Sequence, residues 1–489
     1  MKIIFAETVL SRPHLETSGE IALRFKENKN NIVKFAYLGR NLLWNDWNFT
    51  LFLKCLGLSY NKRISSFNEI LIKNGVEILN DDKFDNFDKD KILNWSKRFK
   101  GDLNDLKLLK YKDILIGKSI LSSLISFYRN FNLRIDENLG KIQQLIYCSA
   151  LILERSELLI KLEHPDQIVT FNGRFSISYP IVAVAEKYGV KVLRHERGSN
   201  FDKFEIFKRS VHDIKYRYHM VRRYWRFSKE NKKKIGQSYF VDRLNKKKMG
   251  TEFGMYFLHK QKKNFLNLSL NKKKLIVFYT SSDYEMAAVN DDRNQEKKFK
   301  LLYSVISKFY KEAHLVVRVH PDVKTKNIVE DIQWKKYNSS FCTVLESDDI
   351  TDSFKLLKKA DVVIGYTSSI LLEALYWKKN VYTLDSKNIF HYSKSIRLLD
   401  SKSKILNMLR EKYNFKKKYL SKCLLFGYYF KTYGIKFKYY TPSDFYNGKF
   451  MNETLEWKSK IILILERFGL KFIYHYFKEK RFKILYTYL

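Results

Sequence analysis

Between residues 167 and 198 the chain alternates strand, helix and strand, and this alternation limits the fold more than any other feature. QIVTFNG (167–173) is a short apolar run ending in Asn-Gly. SYPIVAVAEKYG (178–189) has helical spacing and closes on Gly189, a residue suited to a helix C-terminus. VKVLRHERG (190–198) is a second apolar run that leads into a polar loop. About thirty residues is the size of a βαβ unit. KIIFAE (2–7) and IVKFAYLG (32–39) read as further strands, with a helix entered from His14 to Arg24 between them. Residues 114–163 carry apolar side chains at spacings of three and four, the mark of a helix.

A second series opens at LIVFYT (275–280). A helix near 296–311 follows, then strands at 314–320 and 341–346, a helix at 352–360 and a strand at 361–366. A helix at 369–378 and a strand at 380–384 close the series. Such alternation predicts a parallel sheet with helices on both faces. Between the two series, 211–248 is helical and very basic, and 249–273 has little period and reads as a linker. The chain has 489 residues, too many for one ordinary core. The division expected is an N-terminal domain with a helical insertion over 1–250, a C-terminal domain over 270–400, and a basic aromatic helical tail over 401–489. That tail either packs back on the core or lies on a membrane surface.

Composition narrows the partners. Lys plus Arg number 92 against 52 Asp plus Glu, a formal charge of +40. The excess draws the chain toward polyanions: nucleic acid, anionic lipid or acidic polysaccharide. The four cysteines, Cys55, Cys148, Cys342 and Cys423, lie far apart and read as free thiols in a reducing compartment. The opening MKIIFAETVL turns polar too soon for a signal peptide, and no stretch of eighteen apolar residues appears. The expected location is cytoplasmic.

In parallel α/β sheets ligands sit beyond the carboxyl ends of the strands. Thr280, Ser281, Ser282 and Glu285 follow one such end, and Arg318, His320 and Pro321 mark the next. Thr367, Ser368 and Ser369 follow a third, with Glu373 one helical turn on. Small hydroxyls at a helix start leave N–H groups open to an anion. Glu373 shares a helical face with Ser369 and could accept hydrogen bonds from a ribose or orient a neighbour. Each element taken alone is a common cap or turn; three on one sheet edge point to a nucleotide site. In the N-terminal series Asn172, Gly173 and Arg174 end one strand, and His195, Glu196, Arg197 and Gly198 end the next. Glu196, flanked by Arg194 and Arg197, should stay ionised and could serve as general base, with His195 as its rival. A structural ion pair at a loop mouth is the plainer alternative. His14, Asn172, Arg174 and Arg197 would wall the cleft on the acceptor side.

At these residues the chain resembles a GT-B glycosyltransferase of bacterial surface-polysaccharide assembly, and more narrowly the capsule-biosynthesis group that includes Kdo- and sialic-acid-type transferases. The basic-x-His-Pro motif of that group matches as Arg318-Val319-His320-Pro321. Its Ser/Thr-Ser motif matches as Thr367-Ser368-Ser369, with Glu373 and Ala374 behind. Its acidic-acidic-Gly motif is altered: HERG keeps Glu196 and Gly198, but Arg197 replaces the second acid. The resemblance implies an α/β GT-B fold, two Rossmann-like domains facing across a cleft, with helical insertions and a basic helical C-terminal tail. It implies a metal-independent transferase without a cofactor. Its donor would be a nucleotide-sugar, first of all CMP-linked, carrying a Kdo- or nonulosonic-acid-type sugar. Its acceptor would be a glycan or glycolipid of capsule or lipopolysaccharide, at the cytoplasmic face of the inner membrane. His320 would contact the donor phosphate, Ser368 and Ser369 would hold it, and Glu196 would be the catalytic carboxylate.

Two other readings compete. A CDP-polyol phosphotransferase of teichoic-acid type also uses basic-x-His-Pro and a Ser-Ser helix. A basic nucleic-acid- or membrane-binding protein without catalysis would explain the charge alone. No helix-turn-helix, zinc or RNA-binding aromatic signature supports a specific nucleic-acid partner.

Overall fold

The computed structural model describes residues 1–8, 13–39, 42, 60–128, 130, 133–245, 273–281, 295–321, 323, 332–411, 415–443 and 448–455. The expected linker up to residue 272 and the amphipathic stretch beyond 455 lie outside them. Two sheets organise the described residues. The first gathers β1 (Lys2–Ala6), β2 (Ile32–Ala36), β3 (Glu77–Ile78), β4 (Gln167–Phe171), β5 (Lys191–Arg197) and β6 (Lys203–Phe207). It is joined from the far end of the chain by β13 (Ile435–Lys436). Their spatial order is β13-β6-β5-β4-β1-β2-β3. The strands from β5 to β3 are parallel, while β6 is antiparallel to β5 and β13 to β6.

The second sheet holds β7 (Lys274–Tyr279), β8 (Ala313–Arg318), β9 (Cys342–Leu345), β10 (Val362–Gly365), β11 (Asn380–Thr383) and β12 (Arg397–Leu398). The order is β9-β8-β7-β10-β11-β12, all parallel. Parallel strands covered by helices on both faces need apolar side chains on both, so these strands read as unbroken apolar runs. In β1, Ile3, Ile4, Phe5 and Ala6 are all fully buried. Burying one large apolar side chain of this kind contributes about 1.5–3 kcal/mol. These are two Rossmann-like domains, the GT-B arrangement that the motifs imply.

The chain crosses between the domains twice. Helices α2 (Ile135–Glu163) and α3 (Tyr179–Lys187) pack in the core of the first sheet. Helices α4 (Ile214–Phe227) and α5 (Lys232–Leu244) also fall within the stretch expected to be N-terminal. Their buried Met220, Val221, Tyr239 and Phe240 nevertheless join the core of the second sheet, with Val277, Leu371, Phe426 and Tyr429. The very basic character of this stretch belongs to helices whose apolar side is covered by the second sheet's core. Helix α7 (Lys417–Thr432) completes this layer. It meets α5 backbone to backbone: a Cβ on Gly427 would sit 2.4 Å from Gly236 O, and one on Gly236 would sit 2.3 Å from Leu424 O.

After α7 the chain returns to the first domain. The described part of the expected helical tail is therefore partly strand, and Phe450 and Leu455 are buried in the first domain's core. The return is fastened by Glu20, on helix α1 (His14–Lys26). This fully buried carboxylate accepts the backbone N–H groups of Lys438, Tyr439 and Tyr440 at 2.8, 2.6 and 3.0 Å. A buried carboxylate needs such partners, because an uncompensated one would shed its charge or unfold the site.

Candidate functional site

The second sheet brings three strand ends together. Arg318 and Gly365 both pair with Tyr279 in the ladder, so β8, β7 and β10 end level on one edge. Side-chain hydroxyls then tie the loops beyond them. Thr280 Oγ1 accepts the His320 N–H at 2.8 Å, and Ser281 Oγ accepts the Thr367 N–H at 2.8 Å. Gln295 holds Ser281 in turn, accepting its N–H at 3.0 Å. Thr280 and Ser281 are buried beneath this junction, whereas His320, Pro321, Thr367, Ser368 and Ser369 are half-buried around it. The buried hydroxyls thus set the loops. Ser282 and Glu285 lie outside the described residues.

Three of the expected residues on this edge make contacts that the sequence does not show. Arg318 is buried, and its guanidinium donates to the backbone O of Glu346 at 2.6 Å and of Asp349 at 2.9 Å. Through these two bonds it braces the loop after β9. Ser369 stands at the N-cap of helix α6 (Ile370–Tyr376) but makes no side-chain cap bond. Ser368 Oγ accepts the Ile370 N–H at 3.4 Å instead. Glu373, also buried, pairs with Arg243 Nε of α5 at 2.7 Å. Of the two roles expected for Glu373, orienting a neighbour fits this pair better than receiving a ribose. Arg243 was not singled out in the sequence, because an arginine in a basic helix carries no distinguishing pattern.

On the first sheet Glu196 and His195 point to opposite faces, as neighbours on a strand must. Asn172 and Gly173 take left-handed backbone angles, φ +54° and +79°, a conformation that Asn and Gly tolerate best. That turn aims Asn172 Nδ2 at Glu196 Oε2, 2.6 Å away. The polar loop expected after HERG is a tight connection into β6, which places Glu205 directly opposite Glu196. Like charges facing across a ladder repel. Burial pushes the Glu205 carboxyl pKa up, against the hydrogen bonds it accepts from Tyr224 Oη and the Ile206 N–H, which eases that repulsion. A cavity of about 450 Å³ opens beside Glu205, lined also by Tyr216, Met220, Arg223, Tyr224 and Tyr428. Arg194, expected beside Glu196, instead pairs with Glu186 at 2.6 Å.

On the opposite face His195 is fully buried and does not reach a substrate as a base. His14 is buried against the Phe171 ring, centroids 3.9 Å apart. Burial, helped by Arg197 and His195, holds the His14 pKa well below the usual imidazole range. Arg174 lies over the Phe175 ring at 4.5 Å, and both Arg174 and Arg197 are half-buried near the strand ends. Glu7, at the end of β1, is fully buried beside His195. Extending the strand-end survey to KIIFAE would have found it. Among the described residues, no group of three or more His, Cys, Asp or Glu side chains comes together as a metal site.

No curated protein matches the chain. Among solved structures, KpsC from Thermosulfurimonas dismutans, a beta Kdo 2,7 transferase, is 15% identical with a TM-score of 0.33, covering 56% of this chain and 80% of that one. UDP-GlcNAc 2-epimerase from Neisseria meningitidis bound to UDP-GlcNAc is 10% identical with a TM-score of 0.29, covering 88% and 96%. S. aureus MnaA with UDP is 13% identical with a TM-score of 0.26, covering 89% and 93%. At these scores the neighbours carry no argument about chemistry. The family model is different in kind, since it spans the three motifs that hold Glu196, His320 and Ser368. Over residues 193–391 this chain matches the family described as capsule polysaccharide biosynthesis protein, as its motifs imply.

Proposed function

We propose that the chain is a glycosyltransferase of capsule synthesis that moves a sugar from a nucleotide donor to a growing surface glycan. The donor is first of all CMP-linked, with a Kdo- or nonulosonic-acid-type sugar. One observation carries the donor side: Thr280 and Ser281 bind the backbone of the two loops that present His320 and Thr367-Ser368-Ser369. In this reading Glu196 takes the proton of an acceptor hydroxyl, whose oxygen bonds to the anomeric carbon as the carbon–oxygen bond to phosphate breaks. The nucleotide leaves with added negative charge, which His320, the Ser368 and Ser369 hydroxyls and nearby N–H groups offset. The acceptor enters from the side of Glu196 and the cavity beside Glu205.

A nucleotide screen tests the donor side. At a hundred times its dissociation constant the matching nucleotide stabilises the fold by about 2.7 kcal/mol. CMP is expected to raise the melting temperature more than CDP, UDP or GDP, and His320→Ala to remove the shift. A leading response to CDP would favour polyol-phosphate transfer, and no response to any nucleotide would sink the donor site. Activity retained in a chelator is the matching check on metal independence.

The reaction is proposed to take place at the inner-membrane surface, on the strength of the +40 charge and the basic aromatic stretch beyond residue 455. Co-sedimentation with phosphatidylglycerol vesicles is expected to fall several-fold when 456–489 is deleted and to weaken with salt. Unchanged binding would place the contact elsewhere.

A further inference from the structure

Beneath the candidate base lies a closed polar triangle that the proposed chemistry does not use. Glu7 directly follows β1, Ser18 lies on α1 and His195 lies on β5, and all three side chains are fully buried. Ser18 Oγ donates to Glu7 Oε1 at 2.7 Å. His195 Nε2 stands 2.8 Å from Ser18 Oγ and 3.2 Å from Glu7 Oε1.

The proton count follows from the donors. An ionised carboxylate only accepts, and a serine has one hydrogen to give. With that hydrogen on Glu7, the proton between Ser18 and His195 must sit on Nε2. The imidazole is therefore held in its ring orientation by two side chains from two other elements. It is the wrong geometry for a nucleophilic serine triad, in which the histidine would take the serine proton. All three groups are also shut off from solvent.

The triangle is connected to Glu196 by the backbone. His195 O accepts the Asn172 N–H at 3.1 Å, and Phe171 pairs with His195 in the ladder. Asn172 in turn aims its amide at the Glu196 carboxylate. Asn172 sits in a left-handed conformation that it must be held in, because such a backbone stores strain. Anchoring His195 to β1 and α1 fixes the strand end from which both Asn172 and Glu196 project.

We infer that His195 is a positioning residue: locked by Glu7 and Ser18, it holds the Asn172–Glu196 pair in the geometry needed for proton abstraction. This rests on the reading of Glu196 as general base, and it replaces the idea that His195 is a rival base. Misplacing a catalytic group by about 1 Å is enough to cost on the order of 100-fold in rate.

The test compares His195→Phe, which keeps bulk and removes both nitrogens, with His195→Gln, whose amide can restore a donor toward Ser18 and Glu7. Transfer kinetics and the nucleotide-induced melting shift are measured on each full-length protein. His195→Phe is expected to lose roughly 10- to 100-fold in kcat, with donor KM and the nucleotide shift unchanged and with kcat largely restored in His195→Gln. Ser18→Ala, a smaller change, is expected to lose roughly 3- to 10-fold in kcat, and it decides the matter if His195→Phe does not fold. Parental kcat in the folded His195→Phe or Ser18→Ala protein would overturn the inference. So would a loss that merely follows the folded fraction. If Glu196→Gln itself keeps full activity, the general-base reading fails first and this inference fails with it.

Discussion

Glu196→Gln is expected to lower kcat by about 100- to 10,000-fold, the span that general-base catalysis contributes. Melting temperature and the nucleotide-induced shift should stay as in the parent. The reason is local. Gln keeps the length of the side chain and an oxygen that can accept from Asn172 Nδ2, now 2.6 Å from the carboxylate. What it lacks is the capacity to take a proton. Since Glu196 belongs to the first domain and the donor loops to the second, donor binding has no reason to change. The measurement is steady-state transfer with the donor identified by the nucleotide screen, alongside a melting curve with and without that nucleotide. A loss of less than tenfold would remove Glu196 from the chemistry. A loss of nucleotide response would mean that the residue serves the structure of the site instead.

The largest stability effect is expected at a place with no part in the chemistry. Gly427→Val puts a branched side chain where Gly236 O lies 2.4 Å from the first added carbon and Phe240 Cε2 lies 2.8 Å away. A flexible side chain could swing aside, but a helix carbonyl cannot. Overpacking a tight interior typically costs about 1–3 kcal/mol, and displacing backbone belongs at or above the top of that range. Gly427→Ala should already be harmful, with Val worse. The reading is the urea or thermal midpoint, expected to fall by several degrees for Val, with the transition broadening as α7 separates from α5. A midpoint within about 1 °C of the parent would mean that the two helices do not cross so closely.

How much of this was legible beforehand depended on how local each signal is. β7, β8 and β10 were readable because a strand buried on both faces must be apolar throughout, and the polar residues after it then stand out. That rule picks out His320, Thr367, Ser368 and Ser369, whose loops the structure gathers at one sheet edge. It also misled: Arg318 looks like a ligand in the sequence, but it lies within β8 and its side chain is used on the carbonyls of Glu346 and Asp349. Strand β6 is not evident in the sequence because KFEIF follows the polar loop GSNFD (198–202) at once and carries a charge at its centre. The pairing of Glu196 with Glu205 was therefore invisible as well. The sequence marks 211–248 as helical and very basic but does not show what the helices pack against, since helical spacing records that a face is covered and not by what. The Glu373–Arg243 and Glu20–tail contacts join residues far apart in the sequence, which no periodicity encodes.

The return of the tail to the first sheet has a consequence for how the chain is made. Glu20 and Lys438 stand 418 residues apart in the sequence. While the chain emerges from the ribosome, β6 keeps a bare edge and Glu20 lacks its three backbone donors until residues 435–440 have been made. The first sheet is thus completed only after every strand of the second has been made. Its long-range closure is entropically slow, and its open edge is the surface where unwanted pairing with another nascent chain would begin.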